Sequence, residues 1–447
     1  MRDDLQRAAA GPDHAGATGG DRRSLYPLGL DLTGRTVVVV GGGPVAARRT
    51  RGLLDAGAVV RLVAPTLCED LVDLVAEHGL GGTLTPPRLE WRSREYAGPP
   101  DLTDAWLVHT ATGDRPTDEQ VGRHCADRRI WCIDAGSGTR STARVPASVR
   151  LDTPDGPVGV AVTAGGDPRR AVAVREQLSR HLLAGEVDLR RRRPRRGTGW
   201  VALVGGGPGD EGLLTTRARV LLAAADVVVV DRLAPRSVLA TLPEDVLVID
   251  VGKTPGHHPV GQDAINDLLV EHAHAGRGVV RLKGGDPYVL GRGGEEARAC
   301  EAAGIPVEVV PGVTSALAVP AAVGIPVTHR GLARGFSVVT GHDELPDLPI
   351  GNDHTVVILM GVVGLRRSVA TLLAAGRAGD CPAAVVEDGF GPGERITVAP
   401  LHRLADAAEA AGVRSPAVVV IGDVVTLTPA WPGEPAAAGA HAVREVS

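Results

Sequence analysis

Two glycine-rich loops constrain the fold of this chain more than any other feature. The first is Gly41-Gly42-Gly43-Pro44-Val45-Ala46, and the second is Gly205-Gly206-Gly207-Pro208-Gly209-Asp210. Each loop follows a short valine-rich run and precedes a segment with helical apolar spacing. Strands that are buried on both faces read as continuous apolar runs, and they occur in parallel sheets covered by helices. The two loops therefore predict two separate α/β regions, the first of which is a doubly wound parallel sheet.

The remaining apolar runs extend this pattern along the chain. In the first region we predict strands over 36–40, 59–63, 106–110, 130–133 and 158–162, and helices over 46–56 and 170–183. In the second region we predict strands over 201–204, 226–230, 279–282 and 307–310, and a helix over 213–224. A boundary near Pro311-Gly312 precedes a further sheet from the runs 337–340, 355–360, 383–386 and 417–422.

These elements and the composition between them predict the domain limits. Residues 1–24 and 429–447 read as disordered tails, because they are rich in Ala, Gly, Asp or Pro and lack apolar periodicity. A first domain spans 25–184 and a second spans 200–428. The Arg-rich stretch 185–199 between them reads as a solvated linker, since runs of like charge repel and extend. A surface that attracts a polyanionic substrate is the alternative interpretation.

The composition excludes several classes of protein. No apolar run is long enough to cross a bilayer, and the N-terminus lacks the apolar core of a secretory signal, so we expect a cytoplasmic protein without a membrane. The five cysteines are scattered and form no CxxC pair, which disfavours both a disulfide framework and a zinc site. A net charge of −5 gives no indication of nucleic-acid binding.

The first glycine loop fits the dinucleotide fingerprint when it is counted as Gly41-x-Gly43-x-x-Ala46. Glycines at these positions let the backbone turn sharply and approach a pyrophosphate at the positive end of the following helix. The second strand ends in Val63-Ala64-Pro65, without the acidic residue that usually binds the ribose hydroxyls. The choice between NAD and NADP therefore stays open at the ribose.

A wider set of motifs in the first region resembles the precorrin-2 dehydrogenase/sirohydrochlorin ferrochelatase module. The matching segments are GGGPVAARRTRGLLDAGAVVRLVAP, LVHTATGD, CIDA, VPASV and VAVTAGGDPR, in that order. The resemblance implies NAD as cofactor and a homodimer formed through about 143–183. The residues that we assign to the cofactor are Gly41, Gly43, Pro44, Val45, Ala64 and Pro65.

Asp134 is the acidic residue to which this resemblance gives a catalytic role. In that family an Asp after the fifth strand serves both oxidation and metal insertion, and Asp134 matches it. A carboxylate can accept pyrrole protons and offer oxygen to an incoming divalent metal, so we assign Asp134 as a transient metal contact as well. The alternative is an Asp that only caps the turn into Ala135-Gly136.

The second region resembles the tetrapyrrole methylases, and uroporphyrinogen-III C-methyltransferase in particular. The match runs through LVGGGPGDEGLLTTRARVLLAAADVVVVDRL, RLKGGDPYVLGRGGEE, PGVTSALAVPAAVGIPVTHR and SPAVVVIGDVV. The resemblance implies two α/β subdomains with S-adenosylmethionine in the cleft between them. The residues that it places at the methyl donor are Pro208, Gly284, Gly285, Asp286, Val289, Thr314, Ser315, Met360 and Gly389.

The same resemblance assigns the proton transfers that accompany methylation. Asp231 and Lys253 match the family's candidate proton acceptor and donor; their alternative roles are a strand-end cap and a solvated surface cation. Asp231 follows a predicted strand, and the carboxyl ends of strands are where α/β folds bind ligands. The tetrapyrrole substrate is an octacarboxylate, so cations are expected beside it. Candidates by position are Arg232, Arg281, His329 and Arg330.

Together the two resemblances predict a multifunctional enzyme of siroheme biosynthesis. Methylation of uroporphyrinogen III gives precorrin-2, NAD-dependent oxidation gives sirohydrochlorin, and insertion of Fe²⁺ gives siroheme. One alternative keeps the methyltransferase and the dehydrogenase without chelatase activity and feeds cobalamin synthesis. A sensor that binds the same ligands without catalysis is a further alternative from another class, and Asp231 and Lys253 disfavour it.

Overall fold

The computed structural model of the chain describes residues 25–79, 87–193, 195–252, 261–342, 345 and 347–433. These residues form two units. The first contains 25–149 and 160–176, and the second contains 150–159 and 177–433. The second unit thus includes a short piece of chain from within the predicted first domain.

The first unit is built on a five-stranded parallel sheet with the order β3-β2-β1-β4-β5. Its elements are β1 (Thr36–Val40), α1 (Pro44–Asp55), β2 (Val59–Val63), α2 (Glu69–His78), β3 (Leu89–Arg92), β4 (Leu107–Thr110), α3 (Arg115–Asp127) and β5 (Trp131–Asp134). Val37 to Val40 are fully buried because helices cover both faces of the sheet. The predicted doubly wound sheet is therefore confirmed.

A two-stranded hairpin and a helix follow the first sheet. The hairpin consists of β6 (Ala147–Thr153) and β7 (Gly156–Val162), and α4 (Pro168–Leu183) comes after it. Residues of both strands alternate between intermediate burial and exposure, except that Thr153 at the end of β6 is buried.

The second unit begins with another five-stranded parallel sheet, in the order β10-β9-β11-β8-β12. Its elements are β8 (Trp200–Gly205), α5 (Thr216–Ala223), β9 (Val227–Val230), β10 (Leu247–Asp250), α6 (Gln262–His274), β11 (Gly278–Lys283), α7 (Gly293–Ala302) and β12 (Val307–Val310). The central strands β8, β9 and β11 are buried along their whole length.

A mixed sheet completes the second unit, in the order β13-β14-β17-β15-β16. Its elements are α8 (Ser315–Ala322), β13 (Gly335–Thr340), β14 (His354–Leu359), α9 (Leu365–Ala374), β15 (Pro382–Glu387), β16 (Arg395–Pro400), α10 (Leu401–Ala410) and β17 (Ala417–Ile421). Only β13 and β14 pair in parallel; the other neighbours are antiparallel. The two sheets of this unit are the two subdomains that the sequence predicted.

The segment predicted as a solvated linker is packed against the second unit instead. Leu189 is buried, and its amide donates to the carbonyl of Ala223 at 2.9 Å. The side chain of Arg195 is only 10% exposed, because it pairs with Asp155 and donates to the carbonyl of Gly276. Acidic partners thus neutralise part of the run, and the acidic and carbonyl contacts together fix its path.

The two predicted tails have different outcomes. Residues 1–24 and 434–447 lie outside the described part of the chain. Residues 429–433 are described, and Trp431 packs against the core below β14 and β17. The ordered chain therefore continues a few residues beyond the predicted end.

His109 in β4 provides a test of burial in the first unit. Burial, helped by the positive charge of Arg49, lowers the pKa of His109 from 6.5 to about 4. The native state therefore binds its proton less readily than the unfolded chain, so His109 reduces stability as the pH falls from 6.5 towards 4, by up to about 3 kcal/mol. NMR of labelled histidine rings, with His109→Gln to assign the signal, should show titration near pH 4. Titration near pH 6.5 would contradict the burial.

Candidate active sites

The first glycine loop turns so tightly that two of its positions exclude any side chain. Gly41 has a φ of +127°, and a Cβ there would lie 2.3 Å from the carbonyl oxygen of Ala111. A Cβ on Gly42 would lie 1.8 Å from the carbonyl oxygen of Thr66. Gly43 is the N-cap of α1, where no side chain caps the helix and a Cβ would meet nothing within 4 Å. The loop therefore leaves space at a helix N-terminus, whose first N–H groups have no partners within the helix.

The other predicted cofactor residues lie around this loop. Pro44 opens α1, and Val45 beside it is 39% exposed. Ala64 is buried next to Gly42, and its carbonyl accepts a hydrogen bond from the indole of Trp91 at 3.0 Å. Pro65 after it is exposed. The structure thus brings the six predicted residues to one edge of the sheet.

Asp134 ends β5 at the same edge of the sheet, and its side chain is 3% exposed. One carboxylate oxygen accepts from the amides of Gly136 at 2.7 Å and Ser137 at 3.0 Å, and the other accepts from Nε of Arg140 at 2.7 Å. Asp134 therefore does cap the turn, as the alternative interpretation predicts. Its position at the carboxyl end of a parallel strand also fits the catalytic interpretation, since ligands bind at that edge.

The second glycine loop lies beside a cleft of about 480 Å³ between the two sheets of the second unit. The nine predicted donor residues all line this cleft: Pro208, Gly284, Gly285, Asp286, Val289, Thr314, Ser315, Met360 and Gly389. A volume of this size is typical of small-molecule sites. The predicted set is therefore brought together, although its members are spread over about 180 residues of sequence.

Glycines in the loops that form the cleft allow these loops to meet closely. Gly207 and Gly285 exchange two backbone hydrogen bonds, of 3.2 and 2.7 Å. A Cβ on Gly284 would lie 2.7 Å from that of Leu233, and a Cβ on Gly312 would lie 2.3 Å from the carbonyl oxygen of Gly285. Larger residues at these positions would push the loops apart and change the shape of the cleft.

Three residues that line the cleft have left-handed backbone conformations without being glycine. These are Leu290, Met360 and Asp388, whose φ angles are +53°, +55° and +45°. Such conformations are costly for residues with a Cβ, and they concentrate where a site requires a particular backbone path. Asp388 is a residue that sequence reasoning missed as a member of the site.

Asp231 lines the cleft directly after β9, and one of its carboxylate oxygens accepts from the amide of Arg232 at 2.8 Å. Asp286 stabilises the facing loop, because its two carboxylate oxygens accept from the amides of Tyr288 at 2.8 Å and Gly312 at 3.0 Å. Lys253, the predicted proton donor, lies outside the described residues. Of the predicted pair of proton-transfer groups, only Asp231 can therefore be placed.

A cluster of buried charges joins β11, the strand that leads to the cleft, to Glu296 on α7. Oε1 of Glu296 is 3.2 Å from Nε of Arg281, 3.0 Å from Nζ of Lys283 and 3.2 Å from the side-chain Nε2 of Gln262. The three charged side chains are at most 4% exposed. Burial and the neighbouring Arg281 lower the pKa of Lys283, and Glu296 opposes this shift.

This cluster corrects one sequence-based assignment. Arg281 was a candidate partner for substrate carboxylates, but it is buried against Glu296 and does not line the cleft. Of the other candidates Arg232 lines the cleft, whereas His329 and Arg330 are exposed elsewhere. A side chain on a strand can lie in the core as well as at the strand end, and the sequence alone did not separate these positions.

Known proteins match both regions of the chain. The model of the Tetrapyrrole (Corrin/Porphyrin) Methylases matches residues 201–405, and the Putative NAD(P)-binding model matches residues 28–147. Siroheme synthase 2 of Halorhodospira halophila is 37% identical over 90% of this chain and 92% of its own length. The chain belongs to the siroheme synthase family. The siroheme synthase of Tolumonas auensis, another member, is 36% identical over 92% of this chain and 97% of its own. Membership of this family confirms both resemblances seen in the sequence.

Two solved structures also align with parts of the chain. The uroporphyrin-III C-methyl transferase of Thermus thermophilus, complexed with S-adenyl homocysteine, is 45% identical over 51% of this chain and 99% of its own, with a TM-score of 0.45. The precorrin-2 dehydrogenase SirC is 27% identical over 35% of this chain and 71% of its own, with a TM-score of 0.29.

Two further observations concern metals and membranes. Within the described ranges, no group of three or more His, Cys, Asp or Glu side chains is arranged to hold a metal ion. None of the helices described here combines the length and the apolar character that a membrane span requires.

Proposed function

We propose that this chain makes siroheme from uroporphyrinogen III in three steps. Two methylations by S-adenosylmethionine give precorrin-2, oxidation by NAD gives sirohydrochlorin, and insertion of Fe²⁺, which is a substrate, gives siroheme. The observation that carries the proposal is the length of the family match, because relatives named siroheme synthase align over nine-tenths of both chains. Both catalytic modules are thus present in one polypeptide.

The cleft of the second unit fits S-adenosylmethionine, which supplies the methyl group when bound. Gly284 and Gly285 offer backbone without side chains, so a ligand can approach closely. Asp286 keeps lone pairs beyond its two amide bonds and can accept from an amino or hydroxyl group of the donor. Asp231 lies on the facing wall, where a carboxylate can accept the proton that the methylated macrocycle releases. Lys253 completes this proposal as the proton donor.

The first unit fits a dinucleotide at its glycine loop, because Gly41 and Gly42 have no room for a side chain and Gly43 faces open space. The cofactor takes up hydride when bound. Asp134 lies at the same sheet edge and is proposed to accept pyrrole protons and to contact the incoming Fe²⁺. Arg140 holds this carboxylate in place through a hydrogen bond of 2.7 Å.

Three further points belong to the proposal. We infer two catalytic domains, 25–184 and 200–428, although 150–159 and 185–199 pack with the second unit. We also infer a homodimer formed through about 143–183 and a cytoplasmic location. Light scattering of the purified protein tests the homodimer, and a monomeric mass would contradict it.

The decisive experiment is incubation of the full chain with uroporphyrinogen III, S-adenosylmethionine, NAD and Fe²⁺, leaving out one component at a time. Absorption spectra should show that the pathway stops before methylation without uroporphyrinogen III or S-adenosylmethionine, before oxidation without NAD, and before metal insertion without Fe²⁺. No methylation with all four components present would contradict the proposal. Complete oxidation without insertion of Fe²⁺ would favour the alternative, an enzyme that feeds cobalamin synthesis.

Two neighbouring glycines provide a matched test of the NAD site. We expect Gly43→Ala to leave stability nearly unchanged, because a Cβ there meets nothing within 4 Å, but to weaken NAD binding by entering the space for the pyrophosphate. Gly41→Ala should also destabilise the first unit by about 1–3 kcal/mol, because its φ of +127° and its contact with Ala111 force the loop to move. Calorimetric titration with NAD and thermal unfolding measure both effects. Unchanged NAD affinity in Gly43→Ala would exclude this loop as the site.

Asp134→Asn tests the proposed double role of the carboxylate. We expect it to lower the rates of oxidation and of Fe²⁺ insertion by about 10²-fold or more, because an amide cannot take up a proton. Separate assays with precorrin-2 and with sirohydrochlorin measure the two steps, and thermal unfolding checks the loss of the pair with Arg140. Chelation at the rate of the unchanged protein would show that Asp134 has no part in metal insertion.

A further inference from the structure

Six arginines line a groove in the second unit that the proposed reaction does not use. We call it the arginine groove; its volume is about 580 Å³. Its arginines are Arg190, Arg191, Arg192, Arg193, Arg195 and Arg277. Five of them come from the segment that the sequence indicated as a solvated linker, and the structure gives this segment a defined place.

The arginine groove lies at the edge of the β8–β12 sheet where the strands begin. Its other lining residues include Asp226 directly before β9, Leu247 at the start of β10 and Gly276 shortly before β11. The methyl-donor cleft lies at the ends of the same strands, after Val230 and Lys283. Since β11 has six residues, the two edges are about 20 Å apart. The arginine groove is therefore separate from the cleft.

Acidic partners anchor half of these arginines. Arg190 pairs with Asp188 at 2.8 Å and with Asp245 at 2.7 Å, and Arg192 also pairs with Asp188 at 2.7 Å. Arg195 pairs with Asp155 and reaches Asp226 at 3.5 Å. Asp188 belongs to the same segment, whereas the contacts with Asp155, Asp226 and Asp245 hold the segment against the rest of the second unit.

Arg191, Arg193 and Arg277 carry the charge that remains. All three are exposed, and none of them has an acidic side chain within ion-pair distance among the described residues. The chain as a whole has a net charge of −5, so this positive surface does not reflect a basic composition. Three guanidinium groups around one groove repel each other, and an anion with several charged groups would relieve this repulsion.

We propose that the arginine groove is a second binding site for a tetrapyrrole polycarboxylate, outside the methyl-transfer cleft. This inference rests on the proposed function, which supplies ligands of that class as substrate and intermediates. Guanidinium groups match carboxylates in a two-point geometry, and several of them around one groove can engage several carboxylates of one macrocycle. The site retains the tetrapyrrole on the protein between catalytic steps.

Nucleic acid is the other polyanion that arginines bind, and the observations favour it less. Among the described residues that line the arginine groove, none is an aromatic residue on which a base could stack. The acidic net charge of the chain also opposes binding of a long phosphate backbone.

The test uses the full chain and uroporphyrin III, a stable oxidised octacarboxylate. Binding is titrated for the unchanged protein, for a groove variant that combines Arg191→Gln, Arg193→Gln and Arg277→Gln, and for a control variant. The control combines Arg298→Gln, Arg366→Gln and Arg403→Gln, which remove the same charge from exposed positions elsewhere on the second unit. Each titration is repeated at low and high salt, and the rate of methyl transfer is measured at saturating substrate.

We expect the groove variant to bind one equivalent of uroporphyrin III fewer than the other two proteins. Affinity at the lost site should fall on the order of 100-fold, since each exposed guanidinium–carboxylate pair contributes up to about a fivefold change. The lost equivalent should be the salt-sensitive one, and the methyl-transfer rate should stay unchanged.

Equal binding by all three proteins, or an equal loss in the control variant, would overturn the proposal. It would also be overturned if duplex DNA displaced uroporphyrin III from the arginine groove at a concentration lower than that of uroporphyrin III. Failure of the proposed function is distinguishable from these results. It would appear as absent methyl transfer in the unchanged protein, whatever the titration shows.

Discussion

Replacing Glu296 by Gln is expected to destabilise the second unit by about 3–5 kcal/mol, because it leaves buried cations without the carboxylate that they share. Arg281 and Lys283 both reach one oxygen of Glu296, and neither side chain is more than 4% exposed. Hydrogen exchange of the buried amides in β8 and β11 measures the effect, since those amides exchange only when this sheet opens.

Glu295, the preceding residue, provides the matched control. Its side chain is 45% exposed and pairs with Arg292 on the surface of α7. Glu295→Gln should change the stability by less than about 1 kcal/mol, because exposed ion pairs contribute little. Equal effects of the two substitutions would show that the buried cluster does not stabilise the sheet.

The substitution Asp231→Asn is expected to lower the rate of methyl transfer by about 10²–10⁴-fold, while the affinity for the methyl donor changes little. Asn has nearly the same shape as Asp and can still accept the 2.8 Å hydrogen bond from the amide of Arg232. It cannot take up a proton, so the loss should fall on the chemical step. Single-turnover assays with uroporphyrinogen III, together with titration of S-adenosyl homocysteine, separate the two quantities.

Asp286→Asn should give the opposite pattern and serves as the comparison. One of its oxygens accepts from the amide of Gly312, and an amide nitrogen placed there would meet a second N–H group. The loop should therefore shift, and donor affinity should fall more than the rate at saturation. If Asp231→Asn weakened donor binding and left the rate at saturation unchanged, Asp231 would be a binding residue and not a proton acceptor.

The elements that the sequence predicts best are the strands buried on both faces. β1, β9 and β11 coincide with the predicted runs to within a residue at either end, because their apolar side chains are buried on both faces of a parallel sheet. Four strands were missed: Leu89–Arg92, Ala147–Thr153, Leu247–Asp250 and Arg395–Pro400. They are edge or hairpin strands with charged residues, so their stability comes from pairing and not from an apolar signal.

The sequence likewise identified some residues of the methyl-donor cleft and missed others. Motifs with glycine and proline identified Pro208, Gly284 and Gly285, because close backbone approach leaves a sequence signature. Asp388 escaped notice, since no sequence motif marks the left-handed conformation in which it lines the cleft. Arg281 was wrongly assigned to the substrate for a related reason: the sequence does not show that Arg281 pairs with Glu296 in the core.

The packing of the Arg-rich segment decides how the methylase part could be separated from the rest. A fragment that begins at Trp200 would lack Asp155, which accepts from the indole of Trp200 at 3.5 Å, and would lack the Leu189 side chain that is buried on this unit. Both belong to chain that precedes the tetrapyrrole methylase match at residue 201. A fragment that begins at Arg150, within the hairpin of β6 and β7, keeps these contacts. The natural cut for a free-standing methylase therefore lies about 50 residues upstream of the point that its sequence motifs suggest.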